Sequence, residues 1–330
     1  MNVKFFDPGR GYLKMRDEID AAITRVLVKG DLILREDVDL FEENLAKYVG
    51  TKYAVGLNSG TDAIFASLKA LGIGRGDEVI VPALTFKATA GAVVSTGATP
   101  VLVDLDESWE KYVSMKTKAM IPAHIAGEVS EWWTDDFPVI EDACQALGAV
   151  KPMGITQCWS FYPAKILGAY GDAGGLTTND KDIADEVRDM RNHYKGSNKA
   201  FGFNSRLDNI QAAILNVKFK YLPYTLMRRQ EIADMYSERL KELPLKLPHQ
   251  QEGRVWQDYI VVTERRDELY DFLKKEGIET MKNEYPFSEE YPKPIRSMVF
   301  EKQSLRLPIN EVLTDVEIGS VIQKIHEFFA

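Results

Sequence analysis

The chain has 330 residues, 45% of them hydrophobic and 28% charged, with a formal net charge of −9. That length allows a large core in one or two domains, and the negative charge argues against nucleic acid or an anionic membrane as a general partner. Two cysteines, Cys144 and Cys158, form neither a disulfide framework nor a zinc pattern, and no apolar run approaches the roughly 18 residues of a membrane span, so a protein of the reducing cytoplasm is expected.

Residues 14–29 place apolar side chains at helical spacing (Met15, Ile19, Ala22, Ile23, Val26, Leu27) and stop at Gly30; residues 36–48 repeat the pattern and stop at Gly50. Strand and helix then alternate. Strands are expected over 53–57, 78–81, 101–105, 119–122, 139–142, 158–161 and 176–178, with helices over 61–71 and 86–96. This rhythm predicts an α/β domain with a mostly parallel sheet covered on both faces. After about residue 207 the pattern changes. Residues 209–240 read as one long helical stretch interrupted near Pro223, followed by a strand over 256–263, a helix over 265–276 and a short strand over 278–282. Thr314 and Glu317 have the capping-box spacing before a final helix over 316–329. The expected division is a large domain over residues 1–215 and a smaller α+β domain over 216–330.

Four stretches carry chemistry. The first, Asn58-Ser59-Gly60-Thr61-Asp62, lies between a strand end and a helix start. Gly60 and Thr61 would offer backbone N–H groups to a phosphate there, although the same residues also make an ordinary helix cap. The second holds Phe86, where the chain leaves another strand; it could stack on a flat ring or fill the core. The third, Val139-Ile140-Glu141-Asp142-Ala143-Cys144-Gln145, ends an apolar strand in two acids. Alternation sends Glu141 and Asp142 to opposite sides. A carboxylate buried at that point needs a cationic partner; a pyridinium N–H or a structural arginine would serve, and Gln145 could then reach a ring hydroxyl.

The fourth stretch is Ser160-Phe161-Tyr162-Pro163-Ala164-Lys165. It sets a hydroxyl and an amine five residues apart on a Pro-containing turn after an apolar strand. A lysine in apolar surroundings loses some of its preference for the charged form and can form a Schiff base with an aldehyde. The ordinary alternative is a solvated turn lysine. Two other readings fall away. The glycines of 72–76 follow a helix and precede a strand, the reverse of a dinucleotide-binding turn. The four histidines, His124, His193, His249 and His326, are scattered and give no metal spacing, though His124 follows a strand and could border a pocket.

With these stretches in this order, the chain resembles the DegT/DnrJ/EryC1/StrS family of pyridoxal 5′-phosphate-dependent sugar aminotransferases. The resemblance rests on Ser59 to Ala63, Gly76 to Pro82, Thr85-Phe86, Val139 to Ala143 with Gln145, Ser160 to Lys165, and Asn204 to Ala213. It implies the aspartate aminotransferase type I fold, with a sheet of the mostly parallel seven-stranded type and a smaller C-terminal α+β domain. Lys165 would then carry the cofactor, Asp142 would keep its pyridine nitrogen protonated, Gln145 would contact the ring hydroxyl and Phe86 would stack on the ring. Gly60, Thr61 and Ser160 would bind the phosphate. Asn204 would reach the phosphate of a neighbouring subunit, with Arg206 assisting, which implies a homodimer with shared sites.

The implied reaction moves an amino group from glutamate or glutamine to a keto sugar linked to a nucleotide, the 3- or 4-keto form of a deoxyhexose, with Lys165 as proton carrier. The N-terminal pattern (Phe5-Phe6-Asp7, Tyr12, Ile19) is more similar to members acting on 3-keto sugars. A cofactor-binding regulatory or assembly subunit on the same fold is the alternative. The chain departs from the family pattern at Arg35, at 283–286, and in short segments between Asp104 and Glu141 and between Ala146 and Ser160.

Overall fold

The structure is a computed structural model that describes residues 2–149, 152–197, 199, 202–283 and 294–330. Of the departures noted above, Glu284, Tyr285 and Pro286 lie outside the described residues.

The chain begins with three helices: α1 (Pro8–Lys14), α2 (Arg16–Lys29) and α3 (Glu36–Val49). The helix expected over 14–29 starts at Arg16, and α1 precedes it as a separate element with Asp7 capping the Arg10 N–H. The expected stops hold, since Gly30 (φ 76°) and Gly50 (φ 82°) end α2 and α3 in the left-handed conformation that glycine reaches without strain.

There follow β1 (Tyr53–Leu57), α4 (Gly60–Ala70), β2 (Glu78–Pro82), α5 (Lys87–Thr96), β3 (Thr99–Val103), β4 (Thr117–Met120), β5 (Ile140–Asp142), β6 (Thr156–Ser160), β7 (Gly174–Thr178) and α6 (Lys181–Met190). One set of strands pairs in the order β1-β7-β6-β5 and another as β3-β2-β4. Parallel bridges from Met120 to Val139 and from Ala123 to Asp142 join them through β4 and β5. The seven strands therefore lie side by side as β1-β7-β6-β5-β4-β2-β3, with β7 alone running against the rest.

Three crossovers in this sheet differ from the usual parallel connection, which runs through an α-helix. Among the described residues, β3 reaches β4 with only a short helical turn at Trp109–Tyr112, β4 reaches β5 with only another at Ile125–Gly127, and β5 reaches β6 with no helix. Side chains from the irregular segments take over the cover. Trp109, Tyr112, Trp132 and Phe137 pack on Ile80, Val103, Met120 and Val139, with the Trp109 and Phe137 rings edge to face at 6.1 Å.

The long stretch after residue 208 is two helices, α7 (Asn209–Phe219) and α8 (Leu222–Leu240). Pro223 sits in the first turn of α8, where its missing N–H costs nothing, so the break falls just before it. The chain then forms β8 (Tyr259–Val262), α9 (Arg266–Lys275), β9 (Met281–Lys282), α10 (Ile295–Gln303), β10 (Ser304–Leu307) and α11 (Asp315–Phe329). The strands make an antiparallel sheet in the order β8-β10-β9, around a core that includes Tyr236, Trp256, Tyr259, Leu305 and Ile322. Thr314 and Glu317 close the expected capping box on α11.

The N-terminal arm ties the two ends of the chain together. Val3 bridges Ile278, the Phe5 N–H donates to Glu279 Oε2 at 3.0 Å, and Asn310 donates to the Phe5 carbonyl at 3.1 Å.

Candidate active site

The carboxyl ends of β1, β2, β5 and β6 open on one side of the large sheet, where ligands bind in open α/β folds. A cavity of about 800 Å³ lies there, and the small sheet and the N-terminal arm supply its remaining walls. Of the site residues expected from the sequence, Gly60, Thr61, Phe86, Asp142, Gln145, Ser160 and Lys165 all line it. Asn204 does not; it is exposed, and its backbone bridges Asn192. Arg206 donates to Asn192 Oδ1 at 3.0 Å.

At the end of β1, Ser59 caps α4 by accepting the Asp62 N–H at 3.1 Å. The Gly60 and Thr61 N–H groups have no acceptor among the described residues, so two donors and the positive end of the helix face the cavity. Space there demands glycine. A Cβ on Gly60 would lie 2.5 Å from Cys144 Sγ and 3.0 Å from Ser160 Cβ, and one on Gly174 would lie 2.1 Å from the Ser59 carbonyl carbon. Ser205 braces the turn from outside, donating to Asp62 Oδ2 at 2.7 Å and accepting the Asn58 N–H at 3.1 Å.

Alternation along β5 separates its two acids as expected. Glu141 turns away from the cavity and accepts from the Met153 and Gly154 N–H groups and from Gln157 Nε2. Asp142 turns into it. Its Oδ2 accepts from Thr89 Oγ1 at 2.6 Å, and its Oδ1 accepts the Cys144 N–H at 3.2 Å. No Lys, Arg or His among the described residues pairs with this buried carboxylate, so the structural arginine considered from the sequence is absent and the charge is left for a ligand cation. Gln145 accepts the Ala126 N–H at 2.7 Å through its side-chain oxygen, which leaves its amide N–H₂ free as a donor. Phe86 precedes α5 with a half-exposed ring at the cavity.

Lys165 sits on a tight turn closed by its own N–H to the Tyr162 carbonyl (2.8 Å) and by the Ala169 N–H to the Phe161 carbonyl (2.8 Å). Gly168 allows this turn, since a Cβ there would lie 2.2 Å from the Pro163 oxygen. Gln257 locks the turn to the small sheet by donating to the Ala164 carbonyl (3.0 Å) and accepting the Ile166 N–H (3.1 Å). The Lys165 ammonium has no hydrogen bond or ion pair among the described residues. Its half-buried place on the cavity wall sets it apart from a fully exposed turn lysine. Near it, burial and the Asp142 charge push the Cys144 thiol well above its ordinary range, so that sulfur stays protonated.

These features fit one kind of molecule: an anion at the α4 terminus, a flat ring between Phe86 and the floor, a ring cation at Asp142 and an electrophilic carbon within reach of an unpaired amine. Sequence reasoning did not single out Thr89 or the residues that come from the second half of the chain, whereas His124, read from the sequence as able to border a pocket, is where that reading put it. Thr89, which braces Asp142, follows Phe86 by three residues, and only the helical spacing from Thr85 hinted at its direction. His124 lines the cavity, with Nδ1 accepting the Ser130 N–H at 3.0 Å and Nε2 3.5 Å from Glu141 Oε1. Arg229, Lys282, Arg306 and Asn310 reach the cavity from the second half of the chain, which no local motif announces.

A profile of the DegT/DnrJ/EryC1/StrS aminotransferase family matches residues 13–326. The chain is 36% identical to a pleiotropic regulatory protein of Geobacillus stearothermophilus, with 100% of this chain and 99% of that one covered. It is 35% identical to the dTDP-3-amino-3,4,6-trideoxy-alpha-D-glucose transaminase of Streptomyces venezuelae, with 99% and 96% covered. Among solved structures, DesV of S. venezuelae superposes with a TM-score of 0.93 at 36% identity over 99% and 98% of the two chains. NtdA from Bacillus subtilis, solved with bound cofactor PMP, gives 0.91 at 28% identity over 99% and 85%.

Proposed function

The chain belongs to the DegT/DnrJ/EryC1/StrS aminotransferase family and is a pyridoxal phosphate-dependent sugar aminotransferase, and on that premise we propose that it moves an amino group from glutamate to a nucleotide-linked 3-keto sugar. One observation carries the reading. A single cavity holds an unpaired lysine amine, a buried carboxylate without a cation and a helix terminus with two free N–H donors. The 3-keto position is supported by the similarity to a transaminase named for a 3-amino sugar.

When bound, pyridoxal phosphate supplies an electron sink that stabilises charge at the substrate carbon. The residues of the chain do the rest. Gly60, Thr61 and Ser160 would hold the phosphate, Phe86 would cover the ring, and Gln145 would donate to its hydroxyl. Asp142, its charge steadied by Thr89 and the Cys144 N–H, would hold a proton on the ring nitrogen. Lys165 would anchor the cofactor; once freed, its Nζ would take a proton from the donor carbon and return one to the product carbon.

The protein acts as a homodimer in the cytoplasm in this reading. Asn204 is exposed and lies outside the cavity of its own chain, free to reach a partner's phosphate, and the helical N-terminal stretch exposes Leu27, Val28, Leu32 and Leu40. Among the described residues no helix is long and apolar enough to cross a membrane.

The similarity to a pleiotropic regulatory protein favours a second reading, a cofactor-binding regulator. One experiment separates the two. The cofactor-loaded protein is mixed with L-glutamate, its visible band is followed, and nucleotide-linked keto sugars are then added and scored by mass spectrometry. Loss of the band followed by an amino sugar supports the enzyme; a band that survives every amino donor supports the regulator.

A further inference from the structure

The small sheet brings one unusual charge to the cavity. In β10, Leu305 and Leu307 are fully buried in the core, so Arg306 between them stands on the opposite face and lines the cavity. Its cross-strand neighbours are Ile260 on β8 and Met281 on β9, which give the guanidinium apolar flanks. Its nearest acid is Asp258, whose Oδ2 is 3.5 Å from Nη1, and the Phe5 ring centroid lies 5.9 Å away. The buried Nε has no acceptor, and neither has Nη2 among the described residues.

The two other cations that the second half of the chain brings to the cavity are already engaged. Arg229 donates through Nη1 to the Trp256 and Gln257 carbonyls (3.0 and 3.2 Å) and pairs through Nη2 with Glu311 (3.7 Å). Lys282 pairs with Asp267 at 2.5 Å. Lys87 has no partner among the described residues, but it is exposed at the rim, where water serves it. Leaving guanidinium donors unmet in a partly buried wall is costly unless a ligand supplies acceptors. A planar pair of anionic oxygens matches the arginine fork.

We propose that Arg306 anchors a carboxylate carried into the cavity by a substrate, either on the amino donor or on the sugar. The choice of those two sources rests on the sugar aminotransferase reading above; the anion site itself does not. Asp258 holds Nη1 in place, and the remaining donors turn toward the ligand.

The test uses the cofactor-loaded protein, wild type and R306M, with R306K keeping the charge but losing the fork. Glutarate, a dicarboxylate with no amine to transfer, is titrated by calorimetry. R306M should bind it about tenfold more weakly or worse, a difference of about 1.4 kcal/mol, with R306K between the two. If R306M does not fold, R306K carries the comparison. Two kinetic arms then find the source. A rise in half-saturating L-glutamate with little change in limiting rate assigns the carboxylate to the donor. Loss of preference for a keto sugar bearing an exocyclic carboxylate over its hydroxymethyl counterpart assigns it to the sugar. Glutarate affinity, glutamate dependence and sugar preference all unchanged in the variants would overturn the proposal. Arg306-dependent glutarate binding in a protein whose band survives glutamate would leave the anchor standing and remove the transaminase reading.

Discussion

Thr89 Oγ1 lies 2.6 Å from Asp142 Oδ2 and 2.9 Å from Thr85 Oγ1. The hydroxyl pair fixes the carboxylate from the first turn of α5, so the acid proposed to face the ring nitrogen is held by a different strand–helix unit from its own. A hydrogen bond to a charged group contributes about 1.5–3 kcal/mol. Thr89→Val should therefore slow amino transfer about tenfold or more and shift the pH dependence of the cofactor band. Thr89→Ser should restore both, which separates a hydrogen-bonding role from simple packing.

Lys165→Ala removes the proposed proton carrier. Single-turnover measurements with L-glutamate should show a loss of about 10²–10⁴-fold, the usual contribution of a positioned acid–base group. The cofactor should still bind through the remaining contacts but leave on dialysis. Normal turnover in this variant would sink the assigned role.

Gly60→Ala brings a methyl group to 2.5 Å from Cys144 Sγ. Cofactor affinity, read by equilibrium dialysis, should fall about tenfold or more. Adding Cys144→Ala should recover part of it. The recovery stays partial because the Trp159 carbonyl oxygen is still only 3.3 Å from the new methyl.

Burial alone would raise the Glu141 carboxyl, but the His124 imidazole, the Gly154 N–H and the Gln157 amide together hold it below the ordinary value of 4.5. A folded value below the unfolded one means that Glu141 stabilises the fold above about pH 4.5 and that this contribution is lost as pH falls through the lower, folded value. Glu141→Gln should cost about 1–3 kcal/mol at pH 7, and the gap to wild type should close in thermal melts taken at progressively lower pH.

The parts of the site that were legible in the sequence share one physical property: each sits at the end of a strand, where a local change from apolar run to polar turn marks the position. Ser59 to Thr61, Phe86, Asp142 and Lys165 could all be placed on that basis. Strand β3 shows where local reading slips. It was expected over 101–105 but runs Thr99–Val103, because Pro100, which normally argues against a strand, is tolerated on an edge that needs no donor. Strand β10 and helices α1, α6 and α10 were not anticipated. Arg306 shows the deeper limit. The strand holding it approaches Asp142 and Lys165 only through the packing of the small sheet against the large one, and nothing within a few residues of it records that docking.

The connections from β3 to β4 and from β4 to β5 carry a consequence for how the chain can change. Irregular connections are usually where proteins absorb insertions and deletions, because little depends on them. Here Trp109, Trp132 and Phe137 make those connections the roof over one face of the sheet. Variation in length should therefore be tolerated elsewhere and resisted at these turns, so a library of single-residue insertions along the chain would map this roof as a scar of poor expression over segments that look, by outline alone, dispensable.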